Sequence, residues 1–312
     1  MTRAELVEHA RASIARGSKS FAMASKLFDP ATRERAWLLY GWCRACDDIA
    51  DAQDHGGTMG IVTDAADRLA EMRAKTDAAL DGEITGDPAF DGLGVVAREC
   101  ALPTAFAHDL IEGFALDAAD WRPQTTDDLL RYCYHVAGAV GLMMAVVMGV
   151  SPADDDTLDR ACDLGLAFQL ANIARDVAED ASAGRCYLPR DWLAEAGITP
   201  DTLTAPENRP ALGKLGARLA EMAGHYEASA RHGTPALPFR SAWAVLAAAG
   251  IYGDIAREVA RRGSSAWDQR IVTSKAAKLG WVARACSQAA VRHARWPNTD
   301  QRAASLWRRT SD

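Results

Sequence analysis

Apolar residues recur at intervals of three and four along most of the 312-residue chain, which is the spacing of one face of an α-helix. Strong helix formers such as Ala, Leu, Arg and Glu are abundant, and alternating β-branched runs are absent. Periodicity, capping residues and proline positions predict helices over 3–16, 31–52, 61–81, 92–101, 104–117, 127–149, 153–181, 189–196, 209–231, 239–262 and 272–295.

Two stretches, 82–94 and 197–210, are rich in Gly, Pro, Thr and Asp and are predicted to be loops. Neither is long or polar enough to be a linker between domains. The sequence therefore predicts an all-α fold with a single domain over 1–312. The basic tail at about 297–312 is expected to be a flexible, frayed end, with a contact to a membrane surface as the alternative.

Composition and charge narrow the class of protein. Hydrophobic residues make up 49% and charged residues 25%, which are globular proportions. A net charge of −7 argues against a nucleic-acid-binding protein, whose surface is normally basic. Seven cysteines, an odd number, and an N-terminus without the features of a signal peptide predict a reducing, cytoplasmic setting. The longest uncharged apolar run, 136–150, is shorter than the about 20 residues that cross a bilayer.

Acidic residues cluster near the end of the second predicted helix. At about 100° per residue, one face of this helix carries Tyr40, Arg44, Asp47, Asp48 and Asp51. Three carboxylates on one face repel one another, and the flanking positions are large and apolar rather than oppositely charged. Such a face favours binding of a cation.

A second polar face lies in the helix predicted over 153–181. It combines Gln169, Asn172, Asp176, Glu179 and Asp180, and Arg175 stands at its edge. Oxygen ligands without Cys or His suit a hard cation such as Mg²⁺. Two such faces opposed across a cavity could not bury their charge alone, but with several metal ions between them they would hold a diphosphate.

The sequence resembles the head-to-head prenyl synthases, and among them the bacterial phytoene synthases. The matching strings are GSKSFA (17–22), LYGWCRACDDIAD (39–51), YCYHVAGAVGLMM (132–144), LGLAFQLANIARDVAED (164–180), GRCYLP (184–189) and WDQRIVTSK (267–275). They cover almost the whole chain in the order and spacing of the family. The resemblance implies the helical isoprenoid synthase bundle, with substrates in a central cavity.

The resemblance also implies a role for particular residues. The implied Mg²⁺ ligands are Asp47, Asp51, Asn172 and Asp176, and Asp48 and Asp180 are implied to support the metal sites directly or through water. The implied diphosphate contacts are Ser20, Tyr40, Arg44, Gln169, Arg175, Tyr252 and Arg270. The implied lining of the prenyl channel is Tyr132, Val136, Val140 and Gly141. Aromatic faces expected to stabilise a carbocation are Phe21, Tyr40, Phe168 and Trp243.

The activity implied is phytoene synthesis from two molecules of geranylgeranyl diphosphate, by way of prephytoene diphosphate, with release of two diphosphates. Mg²⁺ is the implied cofactor, with Mn²⁺ as a substitute, and no NADPH is expected. The general base is either released diphosphate or a tyrosine such as Tyr252. The alternatives are a squalene or dehydrosqualene synthase acting on farnesyl diphosphate, a chain-elongating prenyltransferase or terpene cyclase, and a helical partner-binding protein without enzymatic activity.

A lipid substrate and a hydrocarbon product imply a cytoplasmic protein that associates peripherally with the inner membrane and supplies downstream carotenoid enzymes. Two other patterns are given structural interpretations. The Cys43-x-x-Cys46 pair has no second pair and no redox context, so packing is expected. The glycines of 92–97 match the spacing of a dinucleotide fingerprint but do not follow a strand, and Gly94 is expected to end a loop.

Overall fold

The structure is a computed structural model that describes residues 1–17, 24–50, 64–297 and 300–309. Ser20, Phe21 and Asp51, which the sequence analysis singled out, lie outside these ranges. The described residues form helices and no β-strand, which confirms the predicted all-α fold. The helices are α1 (Arg3–Gly17), α2 (Pro30–Ala50), α3 (Ala65–Leu80), α4 (Pro88–Cys100), α5 (Thr104–Ala118), α6 (Thr126–Cys133), α7 (Ala139–Val147), α8 (Asp155–Ser182), α9 (Arg190–Ala196), α10 (Arg209–Arg231), α11 (Phe239–Arg262), α12 (Lys275–Ala290) and α13 (Arg292–Arg295).

Aspartate side chains cap the N-termini of the two helices that carry the acidic motifs. Asp29 accepts hydrogen bonds from the backbone amides of Ala31 and Thr32 at 3.0 and 3.1 Å and so caps α2. Asp154 does the same for α8 by accepting from the amide of Thr157 at 3.1 Å. Each cap satisfies amides that would otherwise lack a partner in the first turn. The start of each acidic helix is therefore fixed locally by the sequence.

The predicted loop over 82–94 is wrong in its second half. Asp87 accepts a hydrogen bond from the amide of Ala89 at 3.0 Å, and α4 begins at Pro88. Gly94 lies inside this helix instead of ending a loop. A Cβ atom on Gly94 would stand 2.6 Å from the carbonyl oxygen of Ala79, so glycine permits the close approach of α3 and α4. Packing between helices, which a single sequence does not display, is the reason for this glycine.

The helix predicted over 127–149 forms as one continuous helical stretch with a π-helical turn, Tyr134–Gly138, between α6 and α7. Among the described residues, only the stretch Thr126–Val147 is long enough to cross a membrane and contains a sufficiently apolar 18-residue window. However, 61% of its most apolar window is buried inside the bundle. Burial by neighbouring helices accounts for its apolar composition.

The central helix of the bundle is α8, which packs against α7, α10 and α11. The approach to α7 is close, because a Cβ on Gly141 would stand 2.5 Å from the carbonyl oxygen of Ala161. On the other side of the same contact, a Cβ on Gly165 would stand 2.4 Å from the carbonyl oxygen of Ala137. These two glycines bring the backbone that precedes the second acidic motif against the α6–α7 helix.

The described part of the C-terminal tail, residues 300–309, is anchored to the bundle. Arg302 binds the fully buried carboxylate of Asp163 at 2.6 and 2.9 Å. Arg309 binds Asp155 and Asp159 at 2.6 and 3.1 Å. These ten residues therefore differ from the expected frayed end. Carboxylates near the start of α8 hold the basic tail, and their role as partners is not visible in the tail sequence itself.

Candidate active site

Arg44 organises the first acidic motif at the end of α2. Its guanidinium donates to Asp47 at 2.8 Å and to Asp48 at 3.0 Å. The Asp47 side chain remains 47% exposed, whereas that of Asp48 is 18% exposed. The more accessible carboxylate of the pair is thus the one implied as a metal ligand. Asp48 is held against Arg44 on the same helix face.

Two arginines hold Asp176 in the second motif. Arg175, its neighbour on α8, donates from Nε to Oδ1 at 2.7 Å. Arg270, from the segment between α11 and α12, approaches Oδ1 at 3.1 Å and also pairs with Glu179. Segments distant in sequence therefore meet at this carboxylate. Arginine suits such a place because its planar fork binds carboxylate and phosphate oxygens equally well.

The two motifs open onto one polar cavity of about 550 Å³. The predicted residues that line it are Asp47, Tyr132, Val136, Gln169, Asn172, Arg175, Asp176 and Asp180. The sequence-based expectation that the two acidic faces share a space agrees with this geometry. The described ends of α2 and α8 form two walls, and α3 and α5 contribute others.

An aspartate that the sequence analysis missed also lines this cavity. The hydroxyl groups of Tyr132 and Tyr187 each donate to Asp117 of α5 at 3.1 Å, and their rings stack at 4.9 Å. Burial raises the pKa of both tyrosines, and the Asp117 carboxylate adds to the effect. Asp117 gave no signal in the sequence, because it is a single acid at a helix end.

Further cations line the polar cavity. Arg68 of α3 donates to the carbonyl oxygen of Ile49 at 3.2 Å and so reaches the end of α2. Arg185 stands in the wall beside Tyr187. The string 184–189, which carries part of the family resemblance, contains both Arg185 and Tyr187, but the resemblance implies no role for either residue. Their presence gives the cavity positive groups suited to an anion.

Asp180, near the end of α8, is partly buried close to another carboxylate. Burial, reinforced by the nearby carboxylate of Asp176, raises the pKa of Asp180 to about 6. A bound cation would relieve this repulsion, and the oxygen donors fit a hard metal ion. Within the described ranges, no three Asp, Glu, His or Cys side chains are close enough to hold a metal by themselves. A metal here would take further ligands from phosphate and water, as Mg²⁺ commonly does.

A second cavity, of about 480 Å³, is almost entirely apolar. Its lining includes Val140 and Gly141 of α7, as predicted, and Met144 and Met148 further along. Three residues, Val136, Gln169 and Asn172, belong to the walls of both cavities. The polar and apolar spaces therefore meet at these side chains.

Tyr40 and Tyr252 line the apolar cavity rather than the polar one. The ring of Tyr252 stacks on that of Phe168 with centroids 4.1 Å apart, and both residues line this cavity. Trp243 instead donates its indole N–H to the carbonyl oxygen of Val282 at 2.7 Å and stands outside the lining of both cavities. Among the described candidates, Tyr40, Phe168 and Tyr252 thus have the location that carbocation stabilisation requires.

The two cysteines of α2 lie in different surroundings. Cys46 is fully buried in the core, as expected from packing. Cys43 lines the apolar cavity, so the packing interpretation is incomplete for this residue. Burial raises the pKa of the Cys43 thiol, which keeps it a neutral, weakly polar group in this apolar wall.

The sequence matches the squalene/phytoene synthase family over residues 14–277. It is 48% identical over 311 residues to a phytoene synthase of Pseudescherichia vulneris, covering 99% of both chains. It is 50% identical over 299 residues to a 15-cis-phytoene synthase of Enterobacter agglomerans, covering 94% of this chain and 98% of the relative.

Solved structures show the same architecture. A dehydrosqualene synthase aligns with a TM-score of 0.80 and 28% identity, covering 91% of this chain and 96% of the other. A squalene synthase from Alicyclobacillus acidocaldarius aligns with a TM-score of 0.74 and 25% identity, covering 83% and 94%. With the family match over most of its length and relatives at about half identity, the chain belongs to the squalene/phytoene synthase family.

Proposed function

We propose that this prenyltransferase condenses two molecules of geranylgeranyl diphosphate head to head, through prephytoene diphosphate, to phytoene. Two diphosphates are released, and two protons are lost across the two half-reactions. One observation carries the proposal: a polar cavity between two acidic motifs shares Val136, Gln169 and Asn172 with an apolar cavity. Such a pair of spaces accommodates a charged head and a long hydrocarbon tail. The names of the relatives at about half identity support phytoene as the product.

The oxygen donors of the two motifs fit a divalent metal, which we propose to be Mg²⁺ with Mn²⁺ as a substitute. Asp47, Asn172 and Asp176 would hold it, with Asp180 in support and Asp51 as the implied further ligand. When bound, the metal would neutralise charge on the departing diphosphate. Arg175 and Arg270 already bracket Asp176, so their guanidinium groups are placed to exchange carboxylate for phosphate oxygens.

The apolar lining of the second cavity disfavours water near the reacting carbon atoms. A carbocation would be captured by water in an open site, so the residues that exclude it are part of the mechanism. The stacked faces of Phe168 and Tyr252 offer π-electron density to a positive centre. Tyr252 lines this cavity and carries a hydroxyl group, so it is our candidate proton acceptor beside released diphosphate.

The experiment that tests this function supplies purified protein with geranylgeranyl or farnesyl diphosphate, with Mg²⁺ and without NADPH, and identifies the hydrocarbon. We expect phytoene from the longer substrate. Squalene formed from farnesyl diphosphate only after NADPH is added would overturn the proposal. A squalene or dehydrosqualene synthase is the second candidate, because both names occur among the structural relatives. Absence of magnesium-dependent diphosphate release from every prenyl substrate would favour a non-enzymatic role.

We further propose that the protein works in the cytoplasm at the surface of the inner membrane. Its substrate would be an amphiphile and its product a hydrocarbon, so both would exchange with a bilayer and with downstream carotenoid enzymes. Recovery of activity in the membrane fraction of a cell extract, and its release by salt, is the expected result. Activity that stays wholly in the supernatant at low salt would contradict this location.

A further inference from the structure

Exposed large apolar side chains concentrate around α12. Val272 is 74% exposed, Leu279 is 64% exposed and Val291 is 52% exposed, and all three lie on α12 or immediately beside it. Burial of such side chains is the rule within a bundle, and a group of them on one surface marks a site of interaction.

The outer side of α12 is uncharged between two cationic margins. At about 100° per residue, Lys275 and Arg284 stand about 180° apart around the helix axis. Between them the exposed positions are Leu279, Ala290, Ala283, Ala276, Ser287 and Gly280. The opposite side buries Ala285 and Ala289 against the bundle. We call the exposed side, with Val272 and Val291 at its ends, the α12 outer face.

The segment that carries this face has no acidic residue. From 269 to 299 the sequence contains no Asp or Glu. Apart from Arg270, which pairs with Asp176 and Glu179, its cations are Lys275, Lys278, Arg284, Arg292 and Arg295. This concentration of positive charge stands out in a chain of net charge −7. An anionic partner is therefore attracted to this surface and repelled by much of the rest.

Several of these cationic side chains contact carbonyl oxygens or aromatic rings rather than carboxylates. Arg292 donates to the carbonyl oxygens of Ala289 and Leu237 at 2.8 and 3.1 Å. Arg284 stands over the ring of Trp281 at 5.0 Å, and Arg295 over that of Trp296 at 5.2 Å. These contacts orient the guanidinium groups without cancelling their charge, so the charge remains for an external anion.

The basic residues of the C-terminal tail are less able to contact an external anion. Arg302 and Arg309 are occupied by buried or partly buried carboxylates of α8. Trp307 packs on Tyr134 with centroids 5.6 Å apart. A membrane contact through the tail, which the sequence left open, would require these groups to leave their partners. The α12 outer face needs no such change.

We propose that the α12 outer face docks the protein on an anionic lipid bilayer, with Leu279 and its apolar neighbours entering the headgroup region and Lys275 and Arg284 contacting lipid phosphates. An apolar strip flanked by cations is the pattern of interfacial helices. The face lies on the outer side of α11, the helix whose Val245, Ala248 and Tyr252 line the apolar cavity. This inference deepens the proposed function, on which it rests for the lipid nature of the substrate.

The test is co-sedimentation of the purified full chain with vesicles of phosphatidylcholine alone or mixed with phosphatidylglycerol. The variants are Leu279→Glu and Lys275→Glu. Two matched controls make the same changes elsewhere: Ile84→Glu replaces an apolar residue that is 83% exposed, and Lys214→Glu replaces an exposed lysine of α10. Circular dichroism of each variant shows whether the helices are retained.

We expect binding that requires phosphatidylglycerol and weakens with added salt. Each α12 variant should lower the vesicle partition coefficient about tenfold or more, while both controls bind like the unaltered protein. Equal sedimentation with and without phosphatidylglycerol, or equal losses in controls and α12 variants, would overturn the proposal. A concentration-dependent dimer of the unaltered protein that Leu279→Glu dissociates, without vesicle binding, would overturn it in favour of a protein interface.

Failure of this inference is distinguishable from failure of the proposed function. Substrate supplied in detergent micelles does not require docking on a bilayer, so Leu279→Glu should keep the diphosphate release of the unaltered protein there. If the function is right and the docking wrong, release persists and vesicle binding is absent. If the function is wrong, neither the unaltered protein nor any variant forms phytoene from geranylgeranyl diphosphate, whatever its vesicle binding.

Discussion

Arg270 approaches the carboxylate of Asp176 at 3.1 Å and joins the segment after α11 to the acidic motif of α8. Because Arg175 binds the same carboxylate, Asp176 is shared by two guanidinium groups. Both arginines would have to yield carboxylate oxygen to a metal and take phosphate oxygen in return. We therefore propose that binding of metal and binding of diphosphate depend on each other at this site.

Asp176→Asn and Asp47→Asn remove one charge from each acidic wall with little change in shape. We expect diphosphate release to fall about 10²-fold or more, since charge stabilisation of the leaving group is lost. Helix content by circular dichroism should stay unchanged. Asp201→Asn, on an exposed turn, is the control and should keep full activity. Unfolding of the site variants with activity retained in the soluble fraction would contradict a metal role.

Arg270→Ala removes a phosphate partner but leaves Arg175 in place. We expect KM for the prenyl diphosphate to rise about tenfold, because a charge-assisted contact is lost. Arg270→Lys should restore KM only partly, since lysine lacks the planar fork of the guanidinium group. Arg261→Ala, at a pair on the exposed surface, should not alter KM. A normal KM for Arg270→Ala in steady-state assays would assign Arg270 a purely structural role.

The Asp117 cluster is a prediction that only the structure supplies. In Tyr187→Phe one donor to the carboxylate disappears, and in Asp117→Asn the charge disappears while an acceptor remains. Hydrogen bonds to charged groups contribute about 1.5–3 kcal/mol, so each change should lower the free energy of unfolding by up to about that amount. Urea denaturation of each variant and of the unaltered protein measures this difference in the free energy of unfolding. An unchanged midpoint for both variants would show that the two hydroxyl contacts contribute nothing to stability.

Arg302→Ala tests the anchored tail. It leaves the fully buried Asp163 without its ion-pair partner, which should cost about 3–5 kcal/mol of unfolding free energy at neutral pH. Arg308→Ala, an exposed neighbour, should cost little and serves as the control. Equal midpoints for the two variants in urea would show that the tail is not anchored through Asp163.

The pH dependence of the same variant has a definite sign. Burial raises the pKa of Asp163 in the folded protein, although Arg302 opposes the rise. Without Arg302 the pKa rises further, so the folded state binds a proton that the unfolded state has released above about pH 4. The stability deficit of Arg302→Ala should therefore grow from pH 5 to pH 7. Thermal unfolding at both pH values checks this, and a deficit that shrinks on raising the pH would contradict it.

Much of the site could be predicted because its carboxylates occur in dense motifs on regular helices. Helical geometry alone places Asp47 and Asp176 on defined faces, and the acidic composition indicates a hard cation. That Tyr40 and Tyr252 border the apolar rather than the polar cavity could not be derived in this way, since it depends on how helices are rotated against each other.

The roles of isolated residues, outside any motif, could not be predicted for a related reason. Asp117 acquires its tyrosine partners, and Gly94 its neighbour Ala79, only when elements far apart in sequence pack together. The tail shows the same limit: its arginines suggested a surface contact, whereas buried Asp163 provides the partner. The local sequence pattern predicts helices and the chemistry of motifs, but it does not predict the contacts between helices.

The central claim is that a charged head and an isoprenoid tail occupy the two joined cavities together. A crystal structure with Mg²⁺ and a non-reactive thio-analogue of geranylgeranyl diphosphate tests it most directly. We expect the diphosphate between Asp47 and Asp176 and the hydrocarbon chain running past Val136 into the space beside Tyr252. A diphosphate bound elsewhere, with both acidic motifs open to solvent and no chain in the apolar cavity, would contradict it.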